Sequence, residues 1–132
     1  MNFLIDTNIC SAYLKGNRIV WNRFIHYSGG LAISVVSAGE LWTWVKREKA
    51  SERSRKAVTE FIDLIDVVDI DLEVALRFEE LRAVMADSGT PMPDMDGLIA
   101  ATALSHNLTL VTNNIADFQS VPDLRLQDWT QD

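Results

Sequence analysis

A chain of 132 residues fits one domain of ordinary size with volume for a single buried core, and its 48% hydrophobic content is that of a globular protein. Its net charge of −7 argues against indiscriminate nucleic-acid binding, which relies on neutralising phosphates. No apolar run reaches the roughly 20 residues that a bilayer-spanning helix requires, and no membrane partner is expected.

Residues 2–5 read as a short apolar strand ending at Asp6. Residues 7–14 follow as a helix with Ile9, Tyr13 and Leu14 on one side and Gly16 as its stop. Residues 18–27 carry Val20, Trp21, Phe24 and Ile25 at helical spacing before Gly29-Gly30 breaks the pattern. Residues 31–35 are apolar and β-branched, a buried strand. Ser37 is a helix N-cap with Glu40 three residues on, a capping box ahead of Leu41, Trp42, Trp44 and Val45. A polar helix over 51–65 has Val58, Phe61, Ile62 and Ile65 as its inner stripe.

Residues 67–70 form a short strand, and Asp71 caps a long helix bearing Val74, Phe78, Leu81 and Met85. Residues 88–93 are a turn, because each proline disfavours helix in the residue before it. Pro93 or Asp94 opens the next helix, with Met95, Leu98, Ile99, Thr102 and Ala103 facing inward and Asn107 at its end. Residues 108–112 are a strand, 114–118 a short turn or helix, and 124–126 a last edge strand. Strands alternating with helices predict an α/β fold, a three-layer α/β/α sandwich around a mostly parallel sheet, with 1–132 as one domain.

Acids recur at the edges of these elements: Asp6 after the first strand, Glu40 and Asp96 in helical first turns, and Asp117 after the last long strand. In an open α/β sheet that rim opens onto the ligand crevice. Carboxylates gathered there repel one another unless a cation lies among them, and an all-oxygen set suits a hard divalent ion such as magnesium or manganese. Each acid also has a structural reading. Asp6 can cap the helix that follows it, Glu40 can complete the capping box, Asp96 can complement a helix dipole, and Asp117 can be an exposed turn acid. Asp94 is a cap, a rim acid or both.

Four segments together resemble the PIN-domain ribonucleases, and within them the VapC-type toxins of bacterial toxin–antitoxin pairs. They are Leu4-Ile5-Asp6-Thr7-Asn8, Ser37-Ala38-Gly39-Glu40-Leu41, Asp96-Gly97-Leu98-Ile99-Ala100-Ala101-Thr102-Ala103, and Leu110-Val111-Thr112-Asn113-Asn114 through Asp117-Phe118. The tail Leu124-Arg125-Leu126-Gln127-Asp128-Trp129 is similar to the family's C-terminus. The resemblance spans nearly the whole chain and implies a single PIN-like domain with magnesium-dependent endoribonuclease activity. Asp6 and Asp96 would be the metal ligands, with manganese a possible substitute. Glu40 and Asp117 would complete the catalytic acids. Thr112 would orient Asp6, Asn8 would lie beside the site, and Asp94 matches no family acid and is auxiliary. An RNA substrate, a cognate antitoxin and a homodimer are implied partners.

Two rivals remain at this stage. Asp94-Met95-Asp96-Gly97 superficially matches the nucleophile motif of haloacid-dehalogenase-type phosphatases, although that chemistry wants the pair at the end of an apolar strand. The chain would otherwise be a PIN-like module that binds a protein and has lost catalysis. Half of the twelve basic residues (Lys46, Arg47, Lys49, Arg53, Arg55 and Lys56) cluster ahead of an acidic stretch, as solvated helix faces or as a rim guiding a polyanion. Trp44, one helical turn beyond Glu40, either packs or stacks a base or partner side chain. A cytoplasmic protein is expected. The start Met1-Asn2-Phe3-Leu4-Ile5-Asp6 meets an acid too soon for a signal peptide. Cys10 is the only cysteine, and with His26 and His106 far apart it leaves no structural zinc set.

Overall fold

The computed structural model of the chain describes residues 1–47 and 50–131, so Lys49 of the basic cluster lies outside the described residues. Its elements run β1 (Phe3–Ile5), α1 (Thr7–Leu14), α2 (Arg18–His26), β2 (Leu31–Ser34), α3 (Val35–Arg47), α4 (Glu52–Leu64), β3 (Asp66–Val68), α5 (Leu72–Asp87), α6 (Asp94–Ser105), β4 (Thr109–Val111), α7 (Ile115–Phe118) and β5 (Leu126–Gln127). All strand pairings are parallel, in the order β3-β2-β1-β4-β5. The strand alternation assigns successive side chains to opposite faces. Phe3, Ile5, Ile33 and Val111 join one core with α1, α2, α4 and the C-terminal Trp129. Leu4, Ala32 and Leu110 join the other with α5, α6 and Phe118. The molecule is a three-layer α/β/α sandwich.

Several local signals act as their chemistry dictates. Asp6, Ser51 and Asp71 stand before α1, α4 and α5, and each side chain accepts a hydrogen bond from a backbone N–H of the first turn. Gly16 and Gly29 have positive φ after α1 and α2, where a side chain would be strained. Gly97 lets α5 and α6 approach closely, because a Cβ built there would stand 2.8 Å from Phe78 Cε1. The tail is anchored by Trp129, stacked on Tyr27 at 5.2 Å and edge-on to Phe3 at 5.1 Å.

Four expectations need correction. Ser37 is not an N-cap: β2 passes into α3 without a loop, Ser34 Oγ accepts from Val36 N, and Ser37 is buried inside the helix. Glu40 is therefore too deep in α3 to complete a capping box. Met95 is 56% exposed because α6 buries the face carrying Ile99, Thr102 and Ala103; Trp21 and Ile25 likewise lie outside the buried stripe Val20–Phe24 of α2. The last strand falls at Leu126–Gln127, since Asp123 turns the chain at φ 66 and pairing with β4 begins only beyond it. The strand expected over 67–70 is Asp66–Val68, as residue 71 already caps α5.

Candidate active site

Two chain-distant strands meet at the centre of this order. From β1 the sheet grows toward β2 and β3 on one side and toward β4 and β5 on the other, so the direction of winding reverses between β1 and β4. Ligand crevices in open α/β sheets form at the carboxyl ends of the strands at that reversal. Asp6 follows β1 and Thr112 follows β4, next to the register pair Ile5 and Val111. Asp6 N donates to Val111 O at 2.9 Å, extending the ladder by one rung.

The Asp6 carboxylate is held at both oxygens. Thr7 N donates to Oδ1 at 2.8 Å, and the buried Thr112 hydroxyl donates to Oδ2 at 2.7 Å. Thr112 Oγ1 in turn accepts from Asn114 N at 3.0 Å, which fixes the direction of its proton. Asp6 is only 6% exposed, and burial raises its pKa against the lowering effect of these two bonds; the charges of Glu40 and Asp117 raise it further. Asp96, in the first turn of α6, is raised by burial and then by the charges of Asp6, Asp117 and Glu40. Asp6 and Asp96 thus both feel the charges of Glu40 and Asp117, and Asp96 that of Asp6 as well.

Nothing cationic compensates them: among the described residues no salt bridge involves Asp6, Glu40, Asp96 or Asp117. Nor are three or more His, Cys, Asp or Glu side chains among the described residues drawn close enough to form a ready-made metal cage. A buried acid with three further carboxylates around it and no basic partner among the described residues makes an electrostatic deficit that suits a hard cation with oxygen ligands.

The remaining positions fall out as follows. Glu40 is exposed, and its Oε1 accepts from the Thr7 hydroxyl at 2.7 Å. Asn8 donates its side-chain N–H to Asn113 Oδ1, and the Asn8 Oδ1 atom is buried without a partner. Asp94 turns toward α5, 3.8 Å from Arg82 Nη1. Its Asp-x-Asp-Gly motif opens a helix instead of ending a strand, which removes the phosphatase geometry. Trp44 is half-buried against the core beside α1, with Lys15 Nζ 5.6 Å from its ring centre. Arg55 and Lys56 pair with Glu52 and Glu60 of their own helix, the solvated-face arrangement. The Thr7 side chain was not singled out from the sequence, where only adjacency to Asp6 marks it, and Ser37 was read there only as a helix cap.

None of the four acids lines a groove of about 710 Å³ between α1, α2 and α4. Its walls include Phe24, Ile25, Phe61 and Leu64, with Glu60 and Asp66 also facing it.

The PIN-domain family matches residues 3–124 of this chain. It is similar to the tRNA(fMet)-specific endonuclease VapC of Salmonella typhimurium, 33% identical over 130 residues with 98% of each chain covered. The protein of the same name from Shigella flexneri is 35% identical over 131 residues, covering 98% of this chain and 99% of the relative. A chain in the crystal structure of DNA-bound VapBC from Salmonella typhimurium superposes with a TM-score of 0.92 at 33% identity, again over 98% of each.

Proposed function

This chain belongs to the PIN-domain family, and on that premise we propose that it is a magnesium-dependent endoribonuclease of the VapC type, the toxin of a toxin–antitoxin pair. The observation that carries the reading is buried Asp6 at the β1/β4 reversal, held by Thr7 and Thr112 and surrounded by the charges of further carboxylates, with no basic partner among the described residues. Asp6 and Asp96 would hold the ion, since magnesium commonly takes one or two protein carboxylates and keeps several waters. Manganese shares the preference for oxygen donors. A bound divalent ion supplies charge relief for phosphoryl oxygens and lowers the pKa of a water nucleophile.

The chain's own groups do the rest. Thr112 and the Thr7 amide hold Asp6 in one orientation. Glu40 and Asp117 orient the attacking water and take its proton as its oxygen bonds to phosphorus. The phosphorus–oxygen bond to the leaving ribose oxygen breaks, and that oxygen gains a proton. Asn8 and Asn113 border the site as hydrogen-bonding amides for the RNA strand. The 132 residues act as one domain in the cytoplasm, where the RNA is, and pair as a homodimer.

The antitoxin completes the reading. The similar structures from Salmonella typhimurium and Rickettsia felis are of VapBC bound to DNA. The groove between α1, α2 and α4 offers an apolar seat in which Leu64 is 87% exposed, with Glu60 and Asp66 at hand for basic side chains. An arginine or lysine of the same partner would compensate the acidic cluster directly.

Purified protein mixed with initiator tRNA, the substrate named for two relatives, tests the activity. Cleavage that requires magnesium, stops with chelator and disappears in Asp6→Asn supports the enzyme. RNA left intact by a protein that still captures a small basic partner favours a binding module instead.

A further inference from the structure

Thr7 touches both ends of the acidic cluster. Its backbone N–H donates to Asp6 Oδ1 at 2.8 Å, while its hydroxyl oxygen lies 2.7 Å from Glu40 Oε1 and 2.9 Å from Ser37 Oγ. A threonine hydroxyl has one proton and two acceptor lone pairs, and an ionised carboxylate only accepts. The Thr7 hydroxyl is the donor toward both oxygens, and its single proton goes to the nearer, charged Glu40 carboxylate, with Ser37 Oγ as the second oxygen beside it. Ser37 is fully buried one turn before Glu40 on α3, so water does not compete for its hydroxyl.

We propose that the Thr7 side chain is a positioning group for RNA cleavage, its hydroxyl aiming the Glu40 carboxylate into the site anchored by Asp6. The inference rests on the nuclease reading above and adds the Thr7 hydroxyl to it. Glu40 is exposed and among the described residues has no basic partner, so the Thr7 bond is what selects one orientation from the several open to a glutamate in water. Fixing a proton-accepting group within reach of its water raises turnover and leaves substrate binding untouched.

The test compares Thr7→Val, which keeps the shape and loses the donor, with Thr7→Ser, which keeps the donor, and with Thr7→Ala. Magnesium-dependent cleavage should fall about 10- to 100-fold in kcat for Thr7→Val with KM little changed, and recover to within about threefold for Thr7→Ser. Thr7→Ala should lose about as much as Thr7→Val, and it carries the test should Thr7→Val fail to fold. In a Glu40→Gln background, Thr7→Val should cost less than about twofold more, because residues acting as a unit are not additive. In metal-free protein the side-chain carboxyl carbon-13 resonance of Glu40 should stand apart from exposed glutamates in the wild type and Thr7→Ser, and merge with them in Thr7→Val. Active wild type with an indifferent Thr7→Val, or losses that multiply with Glu40→Gln, overturns this inference alone. Wild type that leaves RNA intact overturns the nuclease reading as well, whatever the resonance does.

Discussion

At Asp96 the charge can be separated from everything else the residue does. Unlike Asp6, it accepts no hydrogen bond from any described side chain, while burial and the charges of Asp6, Asp117 and Glu40 all raise its carboxyl. For an acid raised on folding, the folded state holds more protons than the unfolded state in the window from about 3.9 up to the folded value. Stability from that group is therefore lost as pH rises through the window, the reverse of a salt-bridged aspartate. Asp96→Asn should melt higher than wild type at neutral pH without divalent ions, and the gap should close in acid while RNA cleavage is lost. Thermal unfolding across pH checks this; a variant that melts lower at neutral pH refutes it. Asp6→Asn should follow the same trend less cleanly, since both of its oxygens accept hydrogen bonds and whichever becomes the amide nitrogen faces a donor. The acids themselves were legible in the sequence as rim carboxylates, and the family pattern separated them from Asp94, which the fold turns toward Arg82. Thr7 was not legible, because its partner lies 33 residues away and hydroxyl pairing leaves no periodic trace.

Among the elements, α3 and α6 present two glycines with opposite surroundings. Gly39 sits on the exposed side of α3, where an added Cβ meets nothing within 4 Å; at Gly97 the same atom stands 2.8 Å from the Phe78 ring. Gly39→Ala should stabilise by about 0.5–1 kcal/mol through helix propensity alone. Gly97→Val should destabilise by about 1–3 kcal/mol through overpacking of α6 on α5. Urea denaturation of both variants measures the contrast, and a stabilised Gly97→Val would contradict the tight α5–α6 contact. Element existence was readable where a side chain announces it, as at Asp71 before α5. The start of α3 was not, because Ser37 and Glu40 have the spacing of a capping box while β2 runs into the helix without a loop. Met95 and Trp21 show the same limit: a 3.6-residue period marks a helix, yet the packing of neighbouring layers decides how wide its buried face is.

For the whole molecule, parallel topology and acidity act together. The order β3-β2-β1-β4-β5, which no local signal specifies, brings residues 6 and 112 into contact across 106 positions and leaves Asp6 with no salt bridge among the described residues. With a net charge of −7 the chain also repels polyanions at long range, so an RNA strand needs a cation where its phosphate meets the acids. A divalent ion that binds only the folded state should stabilise it by about 1.4 kcal/mol at ten times its dissociation constant. For a domain of this size that is a rise of roughly 3–6 °C in melting temperature. Screening by salt would relieve the same repulsion without any site, so the comparison is magnesium chloride against sodium chloride at equal ionic strength. Wild type should gain with magnesium beyond the sodium control, and Asp96→Asn should respond to both salts alike. Equal responses in the wild type would mean that the carboxylates share only a diffuse field and hold no ion.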